Sequence, residues 1–148
     1  MSITDEIVLM RQGTVQQIAP PHTMYSDPVN CFAASFMGSP PISYVDAELQ
    51  DGCAVLSDGL RLPCRAAGQG KVRMGIRPEA WSLGGDIPVE LTAVEMRGQD
   101  QVVGFRLSGH EIRAILDAEQ EVRPGQQLKL RLRENRCYCF DPVTEERL

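Results

Sequence analysis

The spacing of apolar residues predicts a β-hairpin near the start of the chain. Ile7–Met10 is a short apolar stretch, Thr14–Ile18 is a candidate return strand, and Arg11-Gln12-Gly13 lies between them. Two short strand-like stretches joined by a Gly-containing turn are typical of a hairpin. Pro20-Pro21 ends the extended pairing, because proline lacks the backbone N–H that a β-ladder needs.

Two short helical segments are predicted after the hairpin. Thr23–Ser26 and Val29–Phe36 are separated by Asp27-Pro28, and apolar residues recur at helical spacing in the second segment. Gly38 is placed to end that helix, and Pro40-Pro41 prevents its resumption. Residues 1–38 are therefore predicted to form a hairpin and a helical linker.

From Ile42 onward, apolar and polar residues alternate with a period of two, which is typical of strands with one buried and one solvated face. The clearest example sets leucines against cations: Leu128, Leu130 and Leu132 alternate with Lys129, Arg131 and Arg133. Turn signals separate about eight such stretches. Residues 39–148 are therefore predicted to form a small, mainly β barrel or sandwich domain. The cationic stripe is interpreted as a solvated face, with contact to a phosphate or an acidic partner as the alternative.

Composition and charge exclude several classes of function. The chain of 148 residues carries a net charge of -5 and has one Trp, three Tyr and four Phe. Nucleic-acid binders typically present basic surfaces, and binders of single strands add stacking aromatic residues. No apolar run approaches the roughly 20 residues that span a bilayer. We therefore expect no nucleic-acid partner, no direct membrane insertion, and a cytoplasmic location in which a membrane is reached only through a partner.

The cysteines and histidines do not form a metal-binding pattern. Five cysteines and two histidines occur without a CxxC pair, so no zinc site is predicted. Cys137 and Cys139 flank Tyr138 and would face the same side of a strand. Packing in a core is the favoured interpretation of this pair, and a soft metal is the alternative. His110 is expected at the surface.

A continuous pattern in the first part of the chain resembles a known family. It comprises Asp5-Glu-Ile-Val-Leu-Met10, Gly13-Thr-Val-Gln-Gln17, Met24-Tyr25, Pro28-Val-Asn30, Phe32-Ala-Ala-Ser-Phe36 and Gly38-Ser-Pro40. This pattern is similar to the end of the nucleotide-binding domain in ATPase subunits of ABC importers for sugars and glycerol phosphate, the maltose-importer class. Met1–Asp5 resembles the middle of a helix and loop in that family, so Met1 is expected to be an internal methionine of a longer subunit.

Two further motifs extend the resemblance into the β region. Gly75-Ile-Arg-Pro-Glu79 resembles the signature of the family's regulatory domain, and Phe140-Asp-Pro-Val-Thr144 resembles its ending. The family-signature positions carried over are Gly75, Arg77, Pro78, Glu79, Phe140 and Asp141. Two departures occur. Ala80-Trp81 replaces the usual His-Leu, and Glu145 stands where Gly is common.

The resemblance implies a fold, an activity and partners. It implies an OB-like β-barrel, of the TOBE or MOP-like type, that regulates and dimerises an importer ATPase subunit. That parent subunit would bind ATP and Mg, contact permease subunits at the inner face of the membrane, and receive regulatory proteins. The lineage also includes stand-alone modules that bind oxyanions such as molybdate, which is the alternative function.

The sequence lacks the motifs of ATP hydrolysis. The phosphate-binding loop of this class ends in Gly-Lys-Ser/Thr, and the single Gly-Lys pair, Gly70-Lys71, is followed by Val72. No LSGGQ-like signature and no acidic strand end for magnesium precede it. We therefore expect no catalytic, cofactor-binding or metal-binding residues in this chain.

The resemblance also predicts apolar surface on residues 1–38. In the family this segment covers the edge of an ATPase domain, so Ile7, Leu9, Phe32 and Phe36 are expected to be exposed. Exposed apolar side chains and unpaired strand edges favour association.

Overall fold

The computed structural model describes residues 6–64 and 68–148. The expectation for Met1–Asp5 therefore lies outside the described residues. The first part contains strands β1 (Ile7–Arg11) and β2 (Thr14–Ala19), followed by helices α1 (Pro21–Ser26) and α2 (Cys31–Phe36). The predicted hairpin and both short helices are confirmed. Gln12 and Gly13 at the hairpin turn have φ of 50° and 81°, as the tight turns that suit twisted strands require.

The two faces of the hairpin have different surroundings. Leu9 and Ala19 point inward and form a small cluster with Met24 of α1 and Ala33 of α2. The expectation that Leu9 is exposed is therefore wrong, because the hairpin's own helices cover that face and leave Leu9 only 4% accessible. Ile7 and Phe32 are also packed against this cluster rather than exposed, so they need the same correction.

The outer face of the hairpin is apolar and uncovered by the described residues. It consists of two cross-strand pairs, Val8 with Ile18 and Met10 with Val15, and all four side chains are about half exposed. Phe36 is exposed as expected. The sequence therefore predicted an apolar surface correctly but assigned it largely to the wrong face.

The described residues of the second part form a β domain with nine strands. These are β3 (Ser43–Gln50), β4 (Cys53–Val55), β5 (Arg61–Pro63), β6 (Gly70–Ile76), β7 (Trp81–Arg97), β8 (Asp100–Leu107), β9 (His110–Asp117), β10 (Gln127–Leu132) and β11 (Cys137–Phe140). They form a four-stranded sheet of order β10-β7-β8-β9 and a five-stranded sheet of order β11-β6-β3-β4-β5. All the pairings are antiparallel. One hydrophobic core draws residues from both sheets, which curl around it as an OB-like half-barrel. The predicted fold class is confirmed.

Strand β7 pairs with β10 through residues 81–90 and with β8 through residues 91–97. Its pairing with β10 shifts between Lys129 and Leu130, where the partner changes from Pro88 to Leu83. Gly85 lies in the skipped stretch, and a Cβ there would meet the carbonyl oxygen of Leu130 at 2.1 Å. The close crossing of the two strands therefore requires glycine.

The alternation on β10 is confirmed by burial. Leu130 is 0% and Leu132 is 7% accessible, whereas Lys129, Arg131 and Arg133 are exposed. Leu128 is partly buried against the same core. Within the described residues, no helix is both long and apolar enough to cross a membrane.

Candidate functional site

The signature positions lie where the linker helices meet the β domain. We call this region the joint; it comprises Tyr25, Tyr44, Gly75, Arg77, Glu79, Tyr138, Phe140 and Asp141. Its most buried polar member is Arg77, which follows β6 and is 0% accessible. A buried guanidinium needs hydrogen-bond acceptors, because desolvation of an unpaired charge is very costly.

The acceptors of Arg77 are backbone carbonyls of the linker. Nη1 donates to the carbonyl oxygens of Ala34 at 2.7 Å and Met37 at 3.1 Å, and Nη2 donates to that of Tyr25 at 2.7 Å. Tyr25 is in the last turn of α1, while Ala34 and Met37 are at the end of α2. The last carbonyls of a helix lack intrahelical partners and carry partial negative charge. A single arginine of the β domain therefore caps both linker helices.

Aromatic rings enclose the same guanidinium. Its central carbon lies 4.0 Å from the ring centre of Tyr25 and 5.7 Å from that of Tyr138. Both distances are within the range of cation–π attraction. A lysine could not reproduce this arrangement, since it lacks a planar guanidinium that can stack on aromatic rings and donate several hydrogen bonds at the same time.

The hydroxyl of Tyr25 contacts the turn that contains Pro78 and Glu79. Pro78 begins a short 3-10 helix, Pro78–Ala80, which follows β6. This turn places the carboxylate of Glu79 to accept a hydrogen bond from the hydroxyl of Tyr25. Burial, and secondly this hydrogen bond, raise the pKa of the Tyr25 phenol well above its usual value. The phenol therefore stays protonated and donates to Glu79 at neutral pH.

Gly75 allows three side chains to close over β6. A Cβ at this position would lie 2.8 Å from Cδ1 of Ile42 and 3.2 Å from both Phe140 and Tyr44. Phe140 is 0% accessible and packs with Cys31 and Ala34 of α2. The second signature motif thus fills the space that glycine in the first motif leaves open.

Asp141 shapes the turn that follows Phe140. Its Oδ1 accepts hydrogen bonds from the backbone N–H groups of Val143 at 2.8 Å and Thr144 at 2.9 Å. The Thr144 bond, and then the Val143 bond, lower the pKa of the Asp141 carboxyl. This is the local pattern of an Asx turn, which here directs the chain back toward the linker.

The chain that follows this turn pairs with the linker. The N–H of Cys31 donates to the carbonyl of Glu145 at 3.0 Å, and the N–H of Arg147 donates to that of Val29 at 2.9 Å. Asn30 and Glu146 form a β-bridge. The linker is therefore fixed to the β domain by backbone pairing as well as by Arg77.

Glu145, one of the two departures from the family pattern, adopts a left-handed conformation with φ of 64°. Glycine takes this conformation without strain, which explains why it is common at this position. In this chain the Glu145 carboxylate lies 2.8 Å from Nη1 of Arg73 on β6 and 4.0 Å from Nη1 of Arg11 on β1. The substitution adds one ion pair within the β domain and one between the β domain and the hairpin, at a position that favours glycine.

The other candidate residues lie outside the joint. Gly70 and Lys71 begin β6, so the Gly-Lys pair precedes a strand rather than a helix. His110 begins β9, and its Nε2 lies 3.7 Å from the carboxylate of Asp46. Cys139 is in the main core and Cys137 packs against it, which confirms the core-packing interpretation. Among the described residues, no group of three or more His, Cys, Asp or Glu side chains could hold a metal ion.

Sequence reasoning missed several members of the joint. Tyr25 was part of the linker pattern, but nothing marked its ring as the surface on which Arg77 stacks. Nothing in the sequence indicated that Tyr44 and Tyr138 belong to the same site. Tyr44 donates to the carbonyl of Cys31 at 3.0 Å and contacts the hydroxyl of Ser35. The available signal was the placement of three tyrosines in a chain otherwise poor in aromatic residues.

The architecture defines the class of the protein as an OB-like β domain fastened to a helical linker. Comparison with known families identifies a TOBE domain over residues 74–140. An ABC transporter ATP-binding protein of Sinorhizobium fredii is 34% identical, and the match covers 100% of this chain and 42% of that protein.

Two other relatives carry transport names. The sn-glycerol-3-phosphate import ATP-binding protein of Chromobacterium violaceum is 29% identical, over 100% of this chain and 43% of that protein. The sulfoquinovosyl glycerol transport ATP-binding protein of Agrobacterium fabrum is 27% identical, over 98% of this chain and 44% of that protein. The chain thus spans less than half the length of these relatives. It contains a TOBE domain and matches the C-terminal part of these ABC transporter ATP-binding proteins.

Proposed function

We propose that this chain is the regulatory and dimerisation domain of the ATP-binding subunit of an ABC importer for sugars or related solutes. Its role is binding and positioning rather than catalysis. ATP and Mg would act in the nucleotide-binding part of the parent subunit. That subunit would work as a transport ATPase on the cytoplasmic face of the membrane, with permease subunits and a regulatory protein as partners.

The joint is the observation that carries this proposal. Arg77 of the TOBE domain bonds to the ends of both helices in the segment that resembles the end of a nucleotide-binding domain. Because one buried residue contacts both helices, the linker and the β domain move as one body unless these bonds break. Such a connection suits a domain that senses or constrains the position of an ATPase.

The outer face of the hairpin supports the same proposal. Val8, Met10, Val15 and Ile18 form an apolar layer on a two-stranded sheet whose other face is already packed. A sheet that is apolar on both faces is typical of an internal layer. In the parent subunit this layer would pack against the nucleotide-binding domain.

Calorimetric titration tests the absence of nucleotide chemistry. We expect no saturable heat with Mg-ATP at micromolar to millimolar concentrations. Titration with molybdate under the same conditions tests the oxyanion alternative, and we expect no saturable heat there either. Tight binding of Mg-ATP would contradict the assigned role, and tight binding of molybdate would favour the stand-alone module.

Light scattering tests the association surfaces. The intact chain is expected to form dimers through the β domain and larger species through the hairpin. Combining Val8→Thr with Ile18→Thr keeps two β-branched residues but makes the outer face polar, so it should remove the larger species and leave the dimer. Val143→Thr is the matched control, since Val143 is 88% exposed in the turn near the end of the chain. An unchanged mass distribution in the double variant would show that the outer face of the hairpin does not mediate association.

A further inference from the structure

The five-stranded sheet curls until cysteines at its two ends meet. Cys64 directly follows β5 and Cys139 lies on β11, which are the terminal strands of the order β11-β6-β3-β4-β5. Their sulfur atoms are 2.9 Å apart. Both side chains are in the main core, with 8% and 2% accessibility. No β5–β11 ladder occurs among the described strand pairs, so the two ends meet through side chains.

We propose that Cys64 and Cys139 are an oxidisable thiol pair, and that a peroxide-class oxidant converts them to a disulfide that closes the half-barrel covalently. A disulfide needs an S–S distance of about 2.05 Å, so the sulfur atoms must approach by less than about 1 Å. The bond would connect strands that share no backbone hydrogen bonds.

The reaction balances with hydrogen peroxide as the oxidant. One thiolate attacks the peroxide, which forms a sulfenic acid and releases hydroxide. The second sulfur then attacks the sulfenic sulfur, forms the S–S bond and displaces the hydroxyl group. The net change is two thiols and one peroxide giving one disulfide and two waters. A dithiol reductant reverses it by exchange.

Access to the pair is controlled by the short terminal strand. Hydrogen bonding to Cys64, and secondly burial, raise the pKa of the Cys139 thiol, so its thiolate is scarce in the closed protein. Strand β5 has only three residues and pairs on one side with β4. Terminal strands of this length open more readily than the core. Reaction is therefore expected to be slow and to follow opening of β5.

The disulfide would stabilise the fold. The two cysteines are 75 residues apart in the chain, and cross-linking a long segment removes much conformational freedom from the unfolded state. We expect oxidation to raise the melting temperature by at least about 5 °C. Dithiothreitol should return it to the starting value.

Peptide mapping tests the proposal on the full chain. Reduced protein is treated with hydrogen peroxide under native conditions, unfolded, alkylated and digested, and the peptides are analysed by mass spectrometry. We expect a Cys64–Cys139 cross-link and a mass lower by about 2 Da before alkylation, since a disulfide loses two hydrogens. Unchanged fluorescence of Trp81, which is buried against Phe105, would show that the fold was intact during oxidation.

Variants supply the matched comparison. Cys64→Ser and Cys139→Ser should each abolish both the cross-link and the rise in melting temperature, whereas Cys53→Ser should retain both. Should a serine variant fail to fold, the peptide map of the unmodified chain still decides. Full alkylation of both cysteines after oxidation would overturn the proposal, as would a cross-link of Cys64 to Cys137 instead.

Discussion

Arg77 offers the sharpest test of how the linker is held to the β domain. Arg77→Met keeps most of the aliphatic volume but removes the guanidinium, so the carbonyls of Tyr25, Ala34 and Met37 lose their donors. Hydrogen bonds that involve a charged group each contribute about 1.5–3 kcal/mol, and the contributions are not additive. The variant also avoids leaving a buried charge without its counterpart. We expect a net loss of about 3–4 kcal/mol in the free energy of unfolding.

Two further variants separate the effect of the charge at position 77 from that of the planar guanidinium and provide a surface control. Arg77→Lys keeps the charge but not the fork, so it should fall between the wild type and Arg77→Met. Arg131→Met is the control, because Arg131 is exposed and donates to the carbonyl of Gly84. Loss of an exposed arginine of this kind usually stays within about 0.5 kcal/mol.

Urea unfolding and hydrogen exchange provide the two measurements. Trp81 fluorescence follows the β domain, and amide exchange in residues 21–36 follows the linker helices. We expect exchange in the helices to accelerate more than exchange in β7 and β8, since the lost bonds cap α1 and α2. Equal midpoints for Arg77→Met and Arg131→Met would show that the buried arginine does not hold the joint.

Four further predictions concern stability and are checked by denaturant unfolding. Leu130→Ala should cost roughly 2–5 kcal/mol because it leaves a cavity, while Arg131→Ala should cost no more than about 0.5 kcal/mol; equal losses would contradict the half-buried strand. Gly75→Ala should cost about 1–3 kcal/mol, as its Cβ would overlap the side chains above β6. Glu145→Gly should be more stable than Glu145→Ala by about 1 kcal/mol, because both lose the ion pairs but only alanine keeps the left-handed strain. Burial is the main cause that raises the pKa of Tyr44 from 10.0 to about 12. The protonated phenol therefore contributes its full stabilisation below pH 10, and this stabilisation is lost as the pH rises toward 12. Tyr44→Phe should make the free energy of unfolding less dependent on pH in this alkaline range.

The alternation of residues predicted the β domain well because it reflects a local rule. Each strand has one buried face, so the sequence of β10 alone indicates that Leu130 is inside and Arg131 outside. The hairpin turn and the two helices were predictable for the same reason, since glycine, proline and helical spacing act over a few residues. The register shift in the pairing of β7 with β10 was not predictable, because it depends on the close approach of β10 to Gly85.

The hairpin shows where local rules fail. Both Leu9 and its neighbour Val8 are apolar, so the alternation does not identify which one faces the rest of the chain. The choice is made by α1 and α2, whose Met24 and Ala33 cover the side that carries Leu9. That contact is tertiary, and a resemblance to a larger subunit could indicate exposed apolar surface without indicating its face.

The sequence identified the two signature motifs of the joint, but it did not indicate that their residues contact each other. The two signature motifs are more than sixty positions apart in the chain, and they meet because β11 pairs with β6. That pairing brings Phe140 over Gly75 and places the turn of Asp141 beside the linker. By itself, an Arg-Pro-Glu sequence at a strand end is equally compatible with a ligand contact and with an ion pair.

The contacts of Arg77 show which chemistry the signature serves. An arginine that binds a soluble anion must offer its N–H groups to solvent, whereas Arg77 is inaccessible and both of its terminal nitrogens are used by the linker. Glu79 likewise accepts from Tyr25 of the linker. The charged pair of the motif therefore acts within the chain, with each member fixing a different part of the same helical segment. A shift of that segment against the β domain would have to break both attachments.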